Sequence, residues 1–203
     1  MPPVIVPIVE GHSEVESLPI LLRRMLSERG VFTVEIRRPI RIGRYRIVKP
    51  GELERAVKLA ARQPNCRAIL VLLDADNDCP AQLGPDLLKR AQAARPDVRC
   101  WVVLAKAELE TWFVGSVESL RGHCGIRQEA SSPPAPEEIR GAKEWLGQQM
   151  PRERRYLEVD DQPALADCFD LAQARQACDS FDKLVRTFED ILAYVQDAAG
   201  PSR

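Results

Sequence analysis

Carboxylate side chains occur directly after three apolar stretches of the sequence. These carboxylates are Glu10, Asp74, Asp76, Asp78, Glu108 and Glu110. If the stretches are parallel strands, their carboxyl ends lie at one edge of the sheet, where open α/β sheets bind their ligands. Carboxylates held close together repel one another, and a bound divalent cation relieves that repulsion. Because oxygen ligands without His or Cys favour hard cations, the sequence predicts a site for Mg²⁺ or Mn²⁺.

The spacing of Asp74 and Asp76 is suited to a shared cation. Residues two apart on an extended chain point to the same side, about 6.6 Å apart along the backbone, and side-chain rotation can close that gap. An acidic loop after a buried strand can also be a simple turn whose Asp side chains cap the next helix. The coincidence of three acidic strand ends favours the metal site over the turn.

The acids that follow Glu10 have a structural explanation. Ser13 and Glu16 match the S-x-x-E capping box, and Glu14 falls in the first helical turn, where the helix dipole favours negative charge. We therefore expect Ser13, Glu14 and Glu16 to begin a helix rather than to do chemistry. Glu10 precedes this cap, and Gly11 beside it leaves space for another group.

The elements that position these acids alternate between strands and helices. Strands are predicted at 4–9, 31–37, 40–48, 68–73 and 98–104, and helices at 13–30, 50–64 and 80–94. Pro7 indicates an edge position or a bulge for the first strand, because proline cannot donate a ladder hydrogen bond. The alternation predicts an α/β fold with a mostly parallel sheet flanked by helices.

The last third of the chain reads as helical. Residues 131–136, with the sequence SSPPAP, predict a linker or exposed loop, and 137–149 predict a helix. We accordingly divide the chain into an α/β core, 1–128, and a linker with a helical extension that packs on it, 129–203. An apolar stripe near the end is predicted to face the core; it comprises Phe181, Leu184, Val185, Phe188, Ile191, Leu192 and Val195.

The composition excludes several classes of protein. Of 203 residues, 45% are hydrophobic and 29% are charged, which indicates a folded chain, and a net charge of −1 excludes a uniformly basic nucleic-acid coat. The six cysteines form no C-x-x-C pair, which argues against structural zinc and for reduced thiols. The sequence predicts neither a signal peptide nor a membrane span, so we expect a cytoplasmic protein.

A run of basic residues without an acid lies between 37 and 49. It comprises Arg37, Arg38, Arg41, Arg44, Arg46 and Lys49. These side chains could contact nucleic-acid phosphates, giving affinity without sequence readout. They could equally be a solvated edge strand that charge protects from aggregation. Lys106 has two interpretations as well: it could stabilise phosphate charge in a transition state, or pair with Glu110 on the surface.

Two segments resemble a known domain. Glu10-Gly11-His12-Ser13-Glu14, followed by Asp74-Ala75-Asp76, resembles the Toprim domain of topoisomerases, primases and OLD-family nucleases. The wider chain is similar to a family of uncharacterised bacterial proteins described as Toprim-like. The segments that carry this similarity are 106–113, Tyr156, 161–164 and 180–181.

The resemblance implies a Toprim-like Rossmannoid fold and roles for individual residues. It implies Glu10 as a metal ligand or general acid/base, and Asp74 and Asp76 as ligands of Mg²⁺. Asp78 would be an outer acid, and Glu108 and Glu110 could complete a second metal site. On a helix, residues two apart face different ways, so at most one of Glu108 and Glu110 need point inward.

Our first functional hypothesis is a Mg²⁺-dependent nuclease. By analogy with OLD-type proteins, it could act with a separate ATPase in phage defence or in a mobile element. The chain has no strand-passage or primase module, so topoisomerase and primase activities are not expected. The alternatives are a non-catalytic metal-binding interaction module, and a metal-dependent phosphatase or nucleotide hydrolase. The absence of a Gly-rich phosphate loop counts against the last of these.

Overall fold

A parallel sheet of five strands lies between two layers of helices in the computed structural model, which describes residues 1–197. The strands are β1 (Val4–Val9), β2 (Glu35–Ile36), β3 (Ile40–Arg41), β4 (Cys66–Asp74) and β5 (Arg99–Ala105). Their order is β2-β1-β4-β5, and β3 also pairs with β1. Every pair of strands is parallel, which confirms the predicted α/β class.

The described helices cover both faces of the sheet. They are α1 (Glu14–Glu28), α2 (Arg44–Ile47), α3 (Glu52–Ala61), α4 (Pro80–Ala94), α5 (Thr111–Val114), α6 (Ala142–Gln148), α7 (Glu158–Cys168), α8 (Leu171–Ala177) and α9 (Asp179–Asp197). Short 3₁₀ turns occur at Val117–Leu120 and Pro136–Glu138. Within residues 1–197, no helix combines the length and the apolarity needed to cross a membrane.

The alternation of side chains along the strands divides the core into two clusters. Ile5 and Leu70 face α1 and the C-terminal helices, whereas Val4 and Ile69 face α3 and α4. Because both faces are covered, the strands are continuous apolar runs rather than alternating ones. Trp112 and Phe113 of α5 and the whole apolar stripe of α9 are buried in the first cluster, as predicted.

Pro7 was expected to place β1 at an edge of the sheet or at a bulge. The edge position is wrong, because β1 is central and fully buried. Ile5 and Val9 accept hydrogen bonds from the β2 and β3 side, and Pro7 shares their orientation. Pairing on that side is interrupted between Ile36 and Ile40. The nitrogen of Pro7, which has no N–H, therefore faces the gap in the pairing. The one irregularity in the β1–β4 register is elsewhere, between Val4 and Ile5.

The predicted strand over 40–48 is wrong beyond Arg41, because the chain bends at Gly43 and continues as the helical turn α2. Ile42 makes the last bond to the sheet, donating its N–H to Val9 O at 2.8 Å. Ile42 and Ile47 are five residues apart, an odd separation that one strand would place on opposite faces. The turn instead allows Ile47 to be fully buried against α3.

The segment 137–141, predicted as part of a helix, is instead a 3₁₀ turn followed by irregular chain, and α6 starts only at Ala142. The reason is a tertiary contact made by the buried side chain of Glu137. Its carboxylate accepts the N–H groups of Asp179 at 3.1 Å and Ser180 at 3.0 Å. Glu137 thus satisfies the first free donors of α9 from a distant part of the chain.

Replacing Glu137 by Ala is expected to lower the free energy of unfolding by about 2 kcal/mol, because buried helix-terminal donors lose their acceptor. Equilibrium urea unfolding measures this loss. Glu138→Ala is the matched control, because Glu138 is the exposed neighbour of Glu137 in the same turn. Equal losses in the two variants would show that Glu137 does not cap α9.

Candidate functional site

The carboxyl ends of β1, β4 and β5 meet at one edge of the sheet and bring acidic residues together. Asp74 is the last residue of β4, and its Oδ1 accepts the N–H of Leu109, after β5, at 2.8 Å. Asp76 N–H donates to Ala107 O at 3.0 Å, and both residues have a positive φ. The loops after β4 and β5 therefore hold each other in place, with Glu110 on the second loop.

Asp74 is almost completely enclosed. Burial, followed by the charges of Glu110 and Glu10, raises the pKa of Asp74 well above its ordinary value. Glu14 adds to this effect, and Lys143 opposes it. Glu10, Glu14 and Glu110 therefore all lie within electrostatic reach of Asp74.

Glu10 lies beside Asp74 at the end of β1. Burial raises the pKa of Glu10 to about 7, Asp76 adds to the rise, and Arg44 opposes it. Its Oε2 atom is buried and has no hydrogen-bond partner among the described residues. A buried oxygen without a partner is unfavourable, so this atom is suited to bind a ligand.

Glu110, just before α5, is fully buried and held through one of its two oxygens. Its Oε1 accepts hydrogen bonds from Tyr156 Oη and Gln162 Nε2, both at 3.1 Å, and lies 3.9 Å from Lys143 Nζ. Its Oε2 is buried and has no partner within residues 1–197. Burial raises the pKa of Glu110 to about 7, although Lys143 opposes the rise.

Glu14 lies in the first turn of α1, as expected, and it also belongs to this group of acids. It is buried, its Oε2 lacks a partner in the described part of the chain, and its carboxylate occupies the space where a side chain at residue 11 would lie. A side chain at residue 11 would therefore displace the carboxylate of Glu14. The predicted capping box is wrong: Ser13 already has helical dihedral angles, and its hydroxyl donates to Glu158 at 3.1 Å instead of capping.

The C-terminal helices complete this edge with residues that sequence reasoning did not assign. Gln162 of α7 accepts from Ser17 Oγ at 2.6 Å while donating to Glu110. Lys143 of α6 lies 2.9 Å from Glu158. Burial alone would lower the pKa of Lys143, but Glu110 and Glu158 raise it, so the ammonium group stays charged. One signal for Gln162 was available: it shares a helix face with the apolar residues Leu165 and Ala166.

The other predicted acids and Lys106 lie outside the buried group. Asp76 and Asp78 are exposed and pair with Arg44, whose Nε atom is 3.3 Å from Asp76. Glu108 is half-buried, and Lys106 is exposed and makes no ion pair within residues 1–197. Asp76, Asp78 and Lys106 line a shallow cavity of about 300 Å³. Of the pair Glu108 and Glu110, it is Glu110 that points inward.

The predicted basic run is divided by local ion pairs. Arg37 pairs with Glu35, Arg38 with Glu16 and Arg46 with Glu52. Arg41 donates to the backbone oxygen of Glu10 at 3.4 Å, and Lys49 stacks on the ring of Tyr45. Arg44 is the member of this run that pairs with the predicted site acids Asp76 and Asp78. Its Nη1 is buried without a partner in the described structure.

The donor set suits a hard cation, although the side chains are not gathered around one point. Among residues 1–197, no group of three or more His, Cys, Asp or Glu side chains is arranged to hold a metal ion. The atoms that could serve are the unpartnered oxygens of Glu10, Glu14 and Glu110. All are carboxylate oxygens, the ligand type that Mg²⁺ and Mn²⁺ prefer.

Comparison with known proteins identifies a family but no activity. Residues 9–189 match the family model described as "Domain of unknown function (DUF4276)". No curated protein and no solved structure matches the chain. The matched region contains Glu10, Glu14, Asp74 and Glu110, and also Lys143 and Gln162, which contribute to the site from the C-terminal helices. Because the match spans most of its length, the chain belongs to this family of domains of unknown function.

Proposed function

We propose that this protein hydrolyses phosphodiester bonds of nucleic acid at the acidic edge of the sheet, with Mg²⁺ or Mn²⁺ as cofactor. One observation carries the proposal: within residues 1–197, Glu10, Glu14 and Glu110 each present a buried oxygen without a partner, around the enclosed carboxyl group of Asp74. Several buried carboxyl groups close together are unfavourable for stability alone, even with Arg44 and Lys143 nearby, and such clusters are typical of functional sites. The resemblance of the segments around Glu10 and Asp74 to the Toprim domain supports the same function.

The residues that would hold the cation are Glu10, Asp74 and Glu110, with Glu14 available as a further oxygen ligand. A bound divalent ion supplies Lewis acidity toward a phosphoryl oxygen and lowers the pKa of a coordinated water. The chain itself fixes the ligand positions: Leu109 N–H orients Asp74, and Tyr156 and Gln162 orient Glu110. These contacts leave the second oxygen of Glu110 available.

Arg44 is the residue suited to the substrate phosphate. Its guanidinium group lies beside Asp76 and Asp78 and retains an unpartnered Nη1 atom within the described chain. Guanidinium groups bind phosphate oxygens through paired N–H donors, and a planar fork is better suited to this than an ammonium group. Arg44 therefore replaces Lys106 as our first choice for contact with the scissile phosphate.

The test is cleavage of end-labelled oligonucleotides by the purified protein. Single-stranded DNA, double-stranded DNA and single-stranded RNA are each incubated with Mg²⁺, with Mn²⁺ or with EDTA. We expect cleavage only with metal, and a loss of about 10²-fold in rate for Glu10→Gln, because that variant removes a charged ligand. Glu28→Gln, an exposed position at the end of α1, is the matched control.

The same assay separates the proposal from its alternatives. Release of phosphate from p-nitrophenyl phosphate or nucleotides, with oligonucleotides left intact, would indicate a phosphatase or nucleotide hydrolase instead. Metal-dependent thermal stabilisation without turnover of any substrate would indicate a non-catalytic metal-binding module. If the metal produces neither cleavage nor thermal stabilisation, that result would contradict the metal site itself.

A further inference from the structure

A second cavity adjoins the acidic site on the side of the C-terminal helices. It has a volume of about 470 Å³ and lies between α6 and the segment that leads into α7. Its walls include Lys143, Gly147, Arg154, Arg155 and Tyr156. Lys143 and Tyr156 also contact Glu110, so the cavity and the acidic site share two of their side chains.

The charge of this cavity favours an anion. Three cationic side chains line it, and Glu144 is the one acid among its lining residues. Arg154 pairs with Asp161, and Lys143 pairs with Glu158. Arg155 is exposed and makes no ion pair with any residue from 1 to 197. An unpaired guanidinium group at the rim of a concave surface is a typical phosphate contact.

Gly147 forms part of the cavity wall on the side of α6. It lies inside α6, where glycine is a poor helix former and alanine a good one. A Cβ atom there would lie 3.6 Å from Tyr156 N and 3.7 Å from Tyr156 Cβ, which are ordinary contacts. Neither close packing nor a positive φ therefore requires glycine at this position. A larger side chain at 147 would extend into the space between α6 and Tyr156.

We infer that this cavity binds a nucleotide of the nucleic-acid strand next to the scissile bond, with its phosphate on Arg155. The inference rests on the proposed function. A nucleic-acid strand is the ligand we choose because Lys143 and Tyr156 line the cavity and also contact Glu110 of the proposed cleavage site. The volume is within the usual range for pockets that enclose small organic ligands. Lys143 and Tyr156 would then connect the bound nucleotide to the site of cleavage.

The test measures binding without catalysis. The fluorescence polarisation of a labelled single-stranded DNA ten nucleotides long is titrated with protein in EDTA, for the wild type, Arg155→Ala and Gly147→Leu. We expect the dissociation constant to rise about fivefold in each variant. In Arg155→Ala we also expect the slope of the logarithm of affinity against the logarithm of salt concentration to become smaller by about one. Lys89→Ala, an exposed cation on α4 at the opposite face of the sheet, is the matched control.

The outcomes distinguish this inference from the proposed function. Unchanged affinity in Arg155→Ala would overturn the inference even if the wild type cleaves DNA, and Arg155 is exposed, so this variant is expected to fold. Weaker binding in both cavity variants, with no cleavage under any condition, would support the strand site and contradict the nuclease. Stronger competition by AMP than by unlabelled oligonucleotide would also overturn the inference, because a free mononucleotide would then be the ligand.

Discussion

Asp74→Asn is expected to lower the rate of metal-dependent cleavage by about 10²- to 10³-fold, the usual effect of removing one charged group from a catalytic centre. The substitution removes the charge of an almost completely enclosed acid of the site and keeps the size of its side chain. Asn keeps an oxygen that can accept the Leu109 N–H, so the loops after β4 and β5 stay joined. Initial rates of oligonucleotide cleavage at saturating Mg²⁺ measure the effect.

The control for this experiment is Asp86→Asn. Asp86 is exposed on α4, which packs on the face of the sheet opposite to α1 and the C-terminal helices. The same chemical change there is expected to leave the rate unaltered. Thermal unfolding of both variants checks that they are folded. A folded Asp74→Asn variant with the wild-type rate would contradict the proposed site, because the charges of Glu10, Glu14 and Glu110 all act on Asp74.

The part of the site that sequence predicted best is the part built by strand ends. The apolar run of β4 continues directly into Asp74, and parallel strands place their carboxyl ends together, so the approach of Glu10 and Asp74 follows from topology alone. The choice between Glu108 and Glu110 did not follow. It depends on the turn at Ala107, whose positive φ orients the chain before α5.

The residues that sequence missed are those positioned by contacts between distant segments. Ser17 and Gln162 are 145 residues apart and hydrogen bond inside the protein. Lys143 and Glu110 belong to segments that local patterns assign to separate parts of the chain. Glu14 was interpreted only through the first-turn preference for acids, a local rule that holds here but does not reveal its contact with Gln162.

The basic run between 37 and 49 shows that contacts between distant segments can also remove a site that the sequence predicts. Six basic residues without an acid in the sequence resemble a phosphate-binding surface, yet folding brings Glu16, Glu35 and Glu52 to three of them. Exposed ion pairs of this kind add little stability, but they reduce the charge available to a polyanion. Arg44 is distinguished from its neighbours only by the position of α2 beside Asp76.

In the absence of divalent cations, Glu110 is expected to make the protein less stable as the pH rises from 5 to 8. Burial raises the pKa of Glu110 from an ordinary 4.5 to about 7 in the folded state. Between these values the folded protein keeps a proton that the unfolded chain releases, so the stabilisation is complete below pH 4.5 and is lost as the pH passes through 7. This shift corresponds to about 3 kcal/mol in the free energy of unfolding.

Urea unfolding in EDTA at pH 5 and pH 8, for the wild type and Glu110→Gln, isolates this contribution from those of other titrating groups. Gln keeps an oxygen for Tyr156 and Gln162 but cannot ionise, so the variant is expected to match the wild type at pH 5 and to exceed its stability at pH 8. Glu28→Gln should follow the wild type at both pH values. Because a cation would stabilise the ionised carboxylate, Mg²⁺ at pH 8 is expected to raise the stability of the wild type more than that of Glu110→Gln. Identical pH dependence in the two proteins would show that the pKa of Glu110 is the same in the folded and unfolded states, and would contradict a pKa raised by burial.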